Sequence, residues 1–159
     1  MSVQEWELGF SLKKNLKIMT RTFYVDAAKS ITSRDGKRYW KCSVVEEGKN
    51  IINFANGKLE WANEAEAYAI LKIILWVLEQ KLSEEIIVYS DNWTCVQGIN
   101  STKKKVRNAG NSGTNYAKYI NLSRKLIIEK NLSLTVKWIA GKDNPADYYS
   151  RLNNGKYKK

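Results

Sequence analysis

The sequence first changes its period close to residue 61, and that change decides what the chain can fold into. Before it, β-branched and aromatic residues come in short runs: TFYVDAAKS at 22–30, RYWKCSVVEE at 38–47 and IINFAN at 51–56. The links between them are tight, with Asp35-Gly36-Lys37 as one turn signal, a Glu-Gly-Lys-Asn break as the next, and Asn56-Gly57 closing the third run. Runs of this length with such links predict three strands in an antiparallel meander. From Ala62 to about Lys81 the spacing is helical, and Glu66, Ile70, Ile73 and Val77 share one face.

Beyond that helix, EIIVYS at 85–90 reads as a short apolar strand and Asn92 to Ile99 as a short helix. Residues 115–130 regain helical spacing through Tyr116, Tyr119, Ile120, Leu126 and Ile127, LSLTVKWIA at 132–140 alternates as a strand, and Asn144-Pro145 opens a last short helix. The order βββαβααβα implies an α/β fold: a mixed five-stranded sheet flanked by helices, whose later strands run parallel to the first. No repeat or linker divides the chain. The expected organisation is an N-terminal extension at 1–21, one domain at 22–152, and an unstructured basic tail at 153–159. Residues 100–113, NSTKKKVRNAGNSG, carry no core-forming pattern and read as a mobile basic connection.

Composition narrows the chemistry. With 27 Lys+Arg against 16 Asp+Glu, the formal charge is +11. Such an excess suits a polyanionic partner, nucleic acid being the commonest, although a merely well-charged soluble surface has the same count. The chain has no His. Ser-His-Asp and Cys-His hydrolases, His-ligated zinc and His general bases are therefore excluded, while metal held by oxygen ligands stays open. Cys42 and Cys95 have no CxxC spacing, and read as free buried thiols of a reducing compartment, with no zinc site. MSVQEWELGFSLKK is not a signal peptide, and the longest apolar run, Ala69 to Leu78, is interrupted by Lys72 and too short to cross a bilayer. A cytoplasmic protein with no membrane partner is expected.

Four acids stand where carboxylates are costly or functional. Asp26 lies inside an apolar strand, where it needs a partner, either a buried cation or a ligand. Glu66 is on the apolar stripe of the long helix; a helix-start role is the alternative, but Glu64 suits that better. Asp91 follows IIVYS directly, at the carboxyl end of a strand, where α/β folds place ligand sites and where Asp also serves as a helix N-cap. Asp147 would fall at the third helical position if Asn144 caps the last helix, stabilising its dipole. Together the four would repel one another without a compensating cation. They suit two divalent ions about 4 Å apart, one activating water and one steadying the leaving oxygen of a phosphodiester, and Mg²⁺ fits such hard oxygen donors.

YVDAAKS, then WANEAEAYAILKIILWVL, IIVYSDNWTCVQGI and finally VKWIAGKDNPADYYSR resemble, in order and context, the four acidic motifs of ribonuclease H, type 1, over residues 20–152. The closing GKDNPADYYSR is most similar to the ribonuclease H domains of retroelement polyproteins. The resemblance implies the ribonuclease H-like fold, Asp26, Glu66, Asp91 and Asp147 as catalytic metal ligands, and two Mg²⁺ ions for which Mn²⁺ substitutes. It implies an endonuclease that cuts the RNA strand of an RNA/DNA hybrid, leaving 3′-hydroxyl and 5′-phosphate ends, and acts as a monomer.

The same resemblance nominates substrate contacts. Asn63 matches a position that reads the minor groove, where the hybrid displays 2′-hydroxyls. Trp93 stands where an amide is common and either stacks on the substrate or belongs to the core. Lys103, Lys104, Lys105 and Arg107 fall where many members carry a basic protrusion that holds DNA phosphates; a solvated loop is the alternative. Two departures stand out: Ala62 replaces a second amide beside Asn63, and Lys142 stands where many members have a loop His that assists product release or proton transfer. A nuclease acting on branched or duplex DNA, like a resolvase or transposase, and a non-catalytic hybrid-binding module share the fold. The presence of all four acids speaks against the module. The initiator Met and residues 1–21 favour an independent protein over a domain excised from a reverse transcriptase.

Overall fold

The structure, a computed structural model, describes residues 19–29, 40–47, 49–56, 61–108, 110 and 112–151. The expectations for residues 1–18, the Asp35-Gly36-Lys37 turn, Gly57 and the tail at 153–159 lie outside them. Strands β1 (Thr20–Lys29), β2 (Trp40–Glu46) and β3 (Lys49–Asn56) form the antiparallel meander. Helix α1 (Ala62–Glu79) leads to β4 (Glu85–Ser90), then come α2 (Trp93–Ile99), α3 (Tyr116–Glu129), β5 (Leu134–Trp138), a single 3-10 turn (Gly141–Asp143) and α4 (Ala146–Ser150). The sheet order is β3-β2-β1-β4-β5, with β4 parallel to β1 and β5 parallel to β4. This is the mixed five-stranded α/β arrangement that the element order implies.

β1 starts at Thr20, two residues before the expected boundary, because Thr20 and Arg21 continue the parallel ladder against Glu85 and Ile86 of β4, and Arg21 also reaches Glu46 of β2. Its Nε and Nη2 donate to the two carboxylate oxygens at 2.7 Å each. A paired, fork-to-fork contact of this kind fixes register as well as adding attraction. Along β1 the buried Phe23, Val25 and Ala27 alternate with Tyr24 and Asp26, so the two sets face opposite sides of the sheet.

α1 is buried on more than one side, since it lies between the sheet and α3. Ile70, Ile73 and Val77 are buried, as the sequence stripe implies, and Ala65, Ala67 and Ala69 let the helix approach closely. Burying Ile or Val fully stabilises by about 1.5–3 kcal/mol each. Both thiols lie against the first turns of α1: Cys42 Sγ is 3.6 Å from the Ala65 carbonyl and Cys95 Sγ 3.3 Å from that of Asn63. They are free and buried. Between α2 and α3 the contact is close enough that a Cβ at Gly98 would sit 2.5 Å from the Tyr116 hydroxyl, which donates to the Thr94 carbonyl at 2.8 Å.

Candidate active site

Val25 pairs with Ser90 in the parallel ladder, so Asp26 and Asp91 are the next residues on two adjacent strands. β4 ends there, and α1 supplies the third carboxylate from above the sheet. Oxygens of Asp26, Glu66 and Asp91 all lie within 4.8 Å of one another. Asp26 is 3% exposed and Glu66 4%, whereas Asp91 lies at the mouth. Glu66 Oε1 accepts the Ala27 N–H at 3.0 Å, while Glu66 Oε2 is buried with no hydrogen-bond partner among the described residues. A buried, unpartnered carboxylate oxygen facing two other acids is the feature a bound cation would satisfy.

Electrostatics agree with the geometry. Burial, then repulsion from Asp91, pushes the Asp26 carboxyl up to about 6. Burial and the nearby Asp26 raise Glu66 well above the usual carboxylate range, and burial with Asp147 raises Asp91. All three groups are therefore held in a setting that penalises their charge.

Asp147 is close enough to disfavour ionisation of Asp26 and Asp91, yet it stands outside the trio. Its Oδ1 accepts from Arg151 Nε at 2.6 Å, one helical turn on. Asn144, with extended backbone, caps the turn that opens α4, and Pro145 after it is already helical. The helix begins at Ala146, so Asp147 is its second residue, and the Asn144 side chain accepts the Ala146 N–H at 3.0 Å while donating to the Val25 carbonyl at 2.9 Å. Asn144 thus sews α4 to β1 beside Asp26. Ser150 adds a second stitch, donating to Asp26 Oδ2 at 2.7 Å, and Ser43 a third, donating to the Ala146 carbonyl at 2.8 Å.

The capping role considered for Asp91 belongs to Asn92, whose Oδ1 accepts the Cys95 N–H at 2.9 Å. Asn92 also donates to Asn63 Oδ1 at 2.8 Å, fixing the amide at the start of α1 relative to the β4 end. Gly141 brings the 3-10 turn against Asp91: a Cβ there would lie 3.1 Å from Asp91 Oδ2. Lys142 sits exposed on that turn.

Trp93 is not a core residue. It is 57% exposed and meets the 48% exposed Trp138 edge to face, with centroids 6.2 Å apart. Trp138 Nε1 donates to the Asp91 carbonyl at 3.2 Å, so the pair is fixed to the carboxylate trio. Lys103, Lys104, Lys105 and Arg107 are exposed and lie beyond the C-terminal end of α2, where they share an open cleft of about 700 Å³ with Thr94, Gln97, Ser101 and Tyr116. This cleft does not include the acids.

The expectation of a mobile connection misses how the basic segment is tied. Asn121 brackets Val106, accepting its N–H at 2.9 Å and donating to its carbonyl at 2.7 Å, and Arg124 donates to the carbonyls of Ser101 and Lys103. Asn108 accepts the Ala117 N–H at 2.8 Å. Glu64, assigned from sequence to the helix dipole, is buried and accepts the Asn115 N–H at 2.9 Å, holding the far end of this segment to α1. Gly113, at φ +81°, has no room for a Cβ beside that carboxylate.

No protein-family model matches the chain, and no curated protein matches it in sequence. Solved structures do resemble it. A ribonuclease H1 isolated from compost by a metagenomic approach shares 18% identity at a TM-score of 0.58, over 81% of this chain and 91% of that one. Ribonuclease H1 of the halophilic archaeon Halobacterium salinarum shares 13% at 0.56, over 80% and 91%. The protease-reverse transcriptase of prototype foamy virus shares 13% at 0.58, over 87% of this chain and 21% of that one. The compost protein has also been solved in complex with an RNA/DNA hybrid. At these identities the likeness establishes the fold, which is that of ribonuclease H. Among the described residues, no helix is long and apolar enough to cross a membrane.

Proposed function

We propose that this chain is an endoribonuclease that hydrolyses the RNA strand of RNA/DNA hybrids, with Asp26, Glu66, Asp91 and Asp147 holding two Mg²⁺ ions for which Mn²⁺ can substitute. The observation that carries this is the carboxylate trio, with its unpartnered Glu66 oxygen, at the strand ends of a ribonuclease H fold. The donors are all hard oxygens, as Mg²⁺ prefers. When bound, the ions would supply an activated water and charge neutralisation at the leaving oxygen. RNA products would then carry 3′-hydroxyl and 5′-phosphate ends.

The chain's own residues do the positioning. Ala27 and Ser150 orient Glu66 and Asp26 by hydrogen bonds. Asn63 stands at the head of α1 to meet the 2′-hydroxyls of the minor groove. Trp93 and Trp138 present aromatic faces to a sugar or base, and Lys103, Lys104, Lys105 and Arg107 take phosphates at the other end of α2. The hybrid bound to the compost ribonuclease H1 supports the choice of substrate class. Lys142 stands in for the loop His of other ribonucleases H, so proton transfer or product release there rests on a different group. We take residues 22–152 as a monomeric catalytic unit, and free, buried thiols suit a reducing, cytoplasmic setting.

The test is one cleavage assay comparing labelled RNA/DNA hybrid, double-stranded RNA, duplex and branched DNA, and single strands, with Mg²⁺ and with Mn²⁺. Cleavage confined to the RNA of the hybrid is expected. An intact hybrid under Mn²⁺, or an Asp26→Asn variant as active as the parent, refutes the proposal. Preferred cleavage of branched DNA points to a resolvase-like enzyme, and metal-independent binding without cleavage to a hybrid-binding module.

A further inference from the structure

Arg151 makes the two halves of the acid cluster unequal. Three carboxylates converge with their oxygens within 4.8 Å, and among them Glu66 Oε2 has no partner. The fourth, Asp147, already has a cation, with Arg151 Nε at 2.6 Å from its Oδ1. Short, charge-assisted Arg to carboxylate contacts are among the stronger polar interactions, and this one is set by the i to i+4 spacing between Asp147 in α4 and Arg151 at its C-cap.

We infer that Arg151 is a positioning residue that holds Asp147, so that a first divalent ion enters on Asp26, Glu66 and Asp91 and a second must compete with the guanidinium for Asp147. This rests on the reading of the four acids as metal ligands. The two ions then bind with different affinities for a reason internal to the protein. The penalty on the second is modest, because the paired side chains remain 36% and 22% exposed and water screens them. It amounts to about two- to fivefold in affinity.

The experiment is a titration of the full chain with Mn²⁺ alone, followed by electron paramagnetic resonance and calorimetry, with no substrate present. The parent should take up one ion tightly and a second more weakly. Arg151→Gln should tighten the second about fivefold and leave the first within about twofold. Arg151→Lys, which keeps charge but loses the planar fork, should fall between them. Asp147→Asn should lose the second ion and keep the first. An unchanged ratio of the two affinities in Arg151→Gln, with its thermal midpoint preserved, overturns the inference while leaving the metal site intact. Absence of any ion that Asp26→Asn removes overturns the metal-ligand reading itself.

Discussion

The Glu66 carboxylate accepts the backbone N–H of Ala27 at 3.0 Å, so the helix acid is fixed by the residue that follows the strand acid. One oxygen is thereby spent on architecture and the other is left facing Asp26 and Asp91. Glu66→Gln keeps an acceptor for Ala27 but removes the charge. It should fold normally and lower hybrid cleavage by at least about a hundredfold, since metal-held charge stabilisation supplies several kcal/mol. Circular dichroism and single-turnover kinetics check the two halves of this expectation.

Proton uptake by the trio gives the metal-free protein an unusual pH response. Asp26 titrates near 6 in the folded state, above the unfolded value of about 3.9, and Glu66 and Asp91 shift the same way. Folded molecules thus hold protons that unfolded ones have released. This contribution to stability is fully present below the unfolded value and is lost as pH rises through about 6. Without metal, the thermal midpoint should be higher at pH 5 than at pH 8, and Asp26→Asn should raise the pH 8 midpoint by about 3–8 °C. Apparent Mg²⁺ affinity should move the other way, weakening below pH 6 as protons compete. Calorimetry with chelator and with Mg²⁺ measures both.

The basic segment predicts a salt signature. Replacing Lys103, Lys104 and Lys105 together by Ala should weaken hybrid binding and lower the slope of log affinity against log salt by about 1–2. Stability should barely change, because these side chains are exposed and Asn121 and Arg124 hold the segment through its backbone. A slope equal to that of the parent would locate the phosphate contacts elsewhere.

Trp93 offers a stability-neutral probe of substrate contact. Trp93→Ala should raise KM for hybrid by about 5- to 50-fold, the range expected for loss of one aromatic stack, with the thermal midpoint within about 2 °C of the parent. Trp93→Phe should recover most of the loss. Quenching of tryptophan fluorescence by hybrid, reduced in Trp93→Ala, supplies an independent readout.

Residues with a strong local signature were legible in the sequence. Strand β4 has the expected bounds at 85–90, and the stripe of Ile70, Ile73 and Val77 buries where its spacing implies. Asp26 and Glu66 could be singled out because a carboxylate among apolar neighbours must be paired or must hold a ligand. What escaped depends on partners remote in the chain. Nothing near Glu64 announces that it binds the Asn115 amide, and nothing near Lys103 announces that Arg124 takes its carbonyl. Ser150 and Asn144 read as ordinary helix-flanking polar residues until β1 is placed beside them. Asn92 and not Asp91 caps α2 because the helix starts at Trp93, one residue later than the spacing implies.

The bond from Ser150 to Asp26 spans 124 positions of sequence, and it has a temporal meaning. During synthesis β1 leaves the ribosome long before α4 is made. In a nascent chain released only as far as β5, Asp26 lacks its hydroxyl partner and Asp147 does not yet exist. The acid cluster is therefore completed only once α4 has been made, although two of its members stand on β1 and α1, far earlier in the chain.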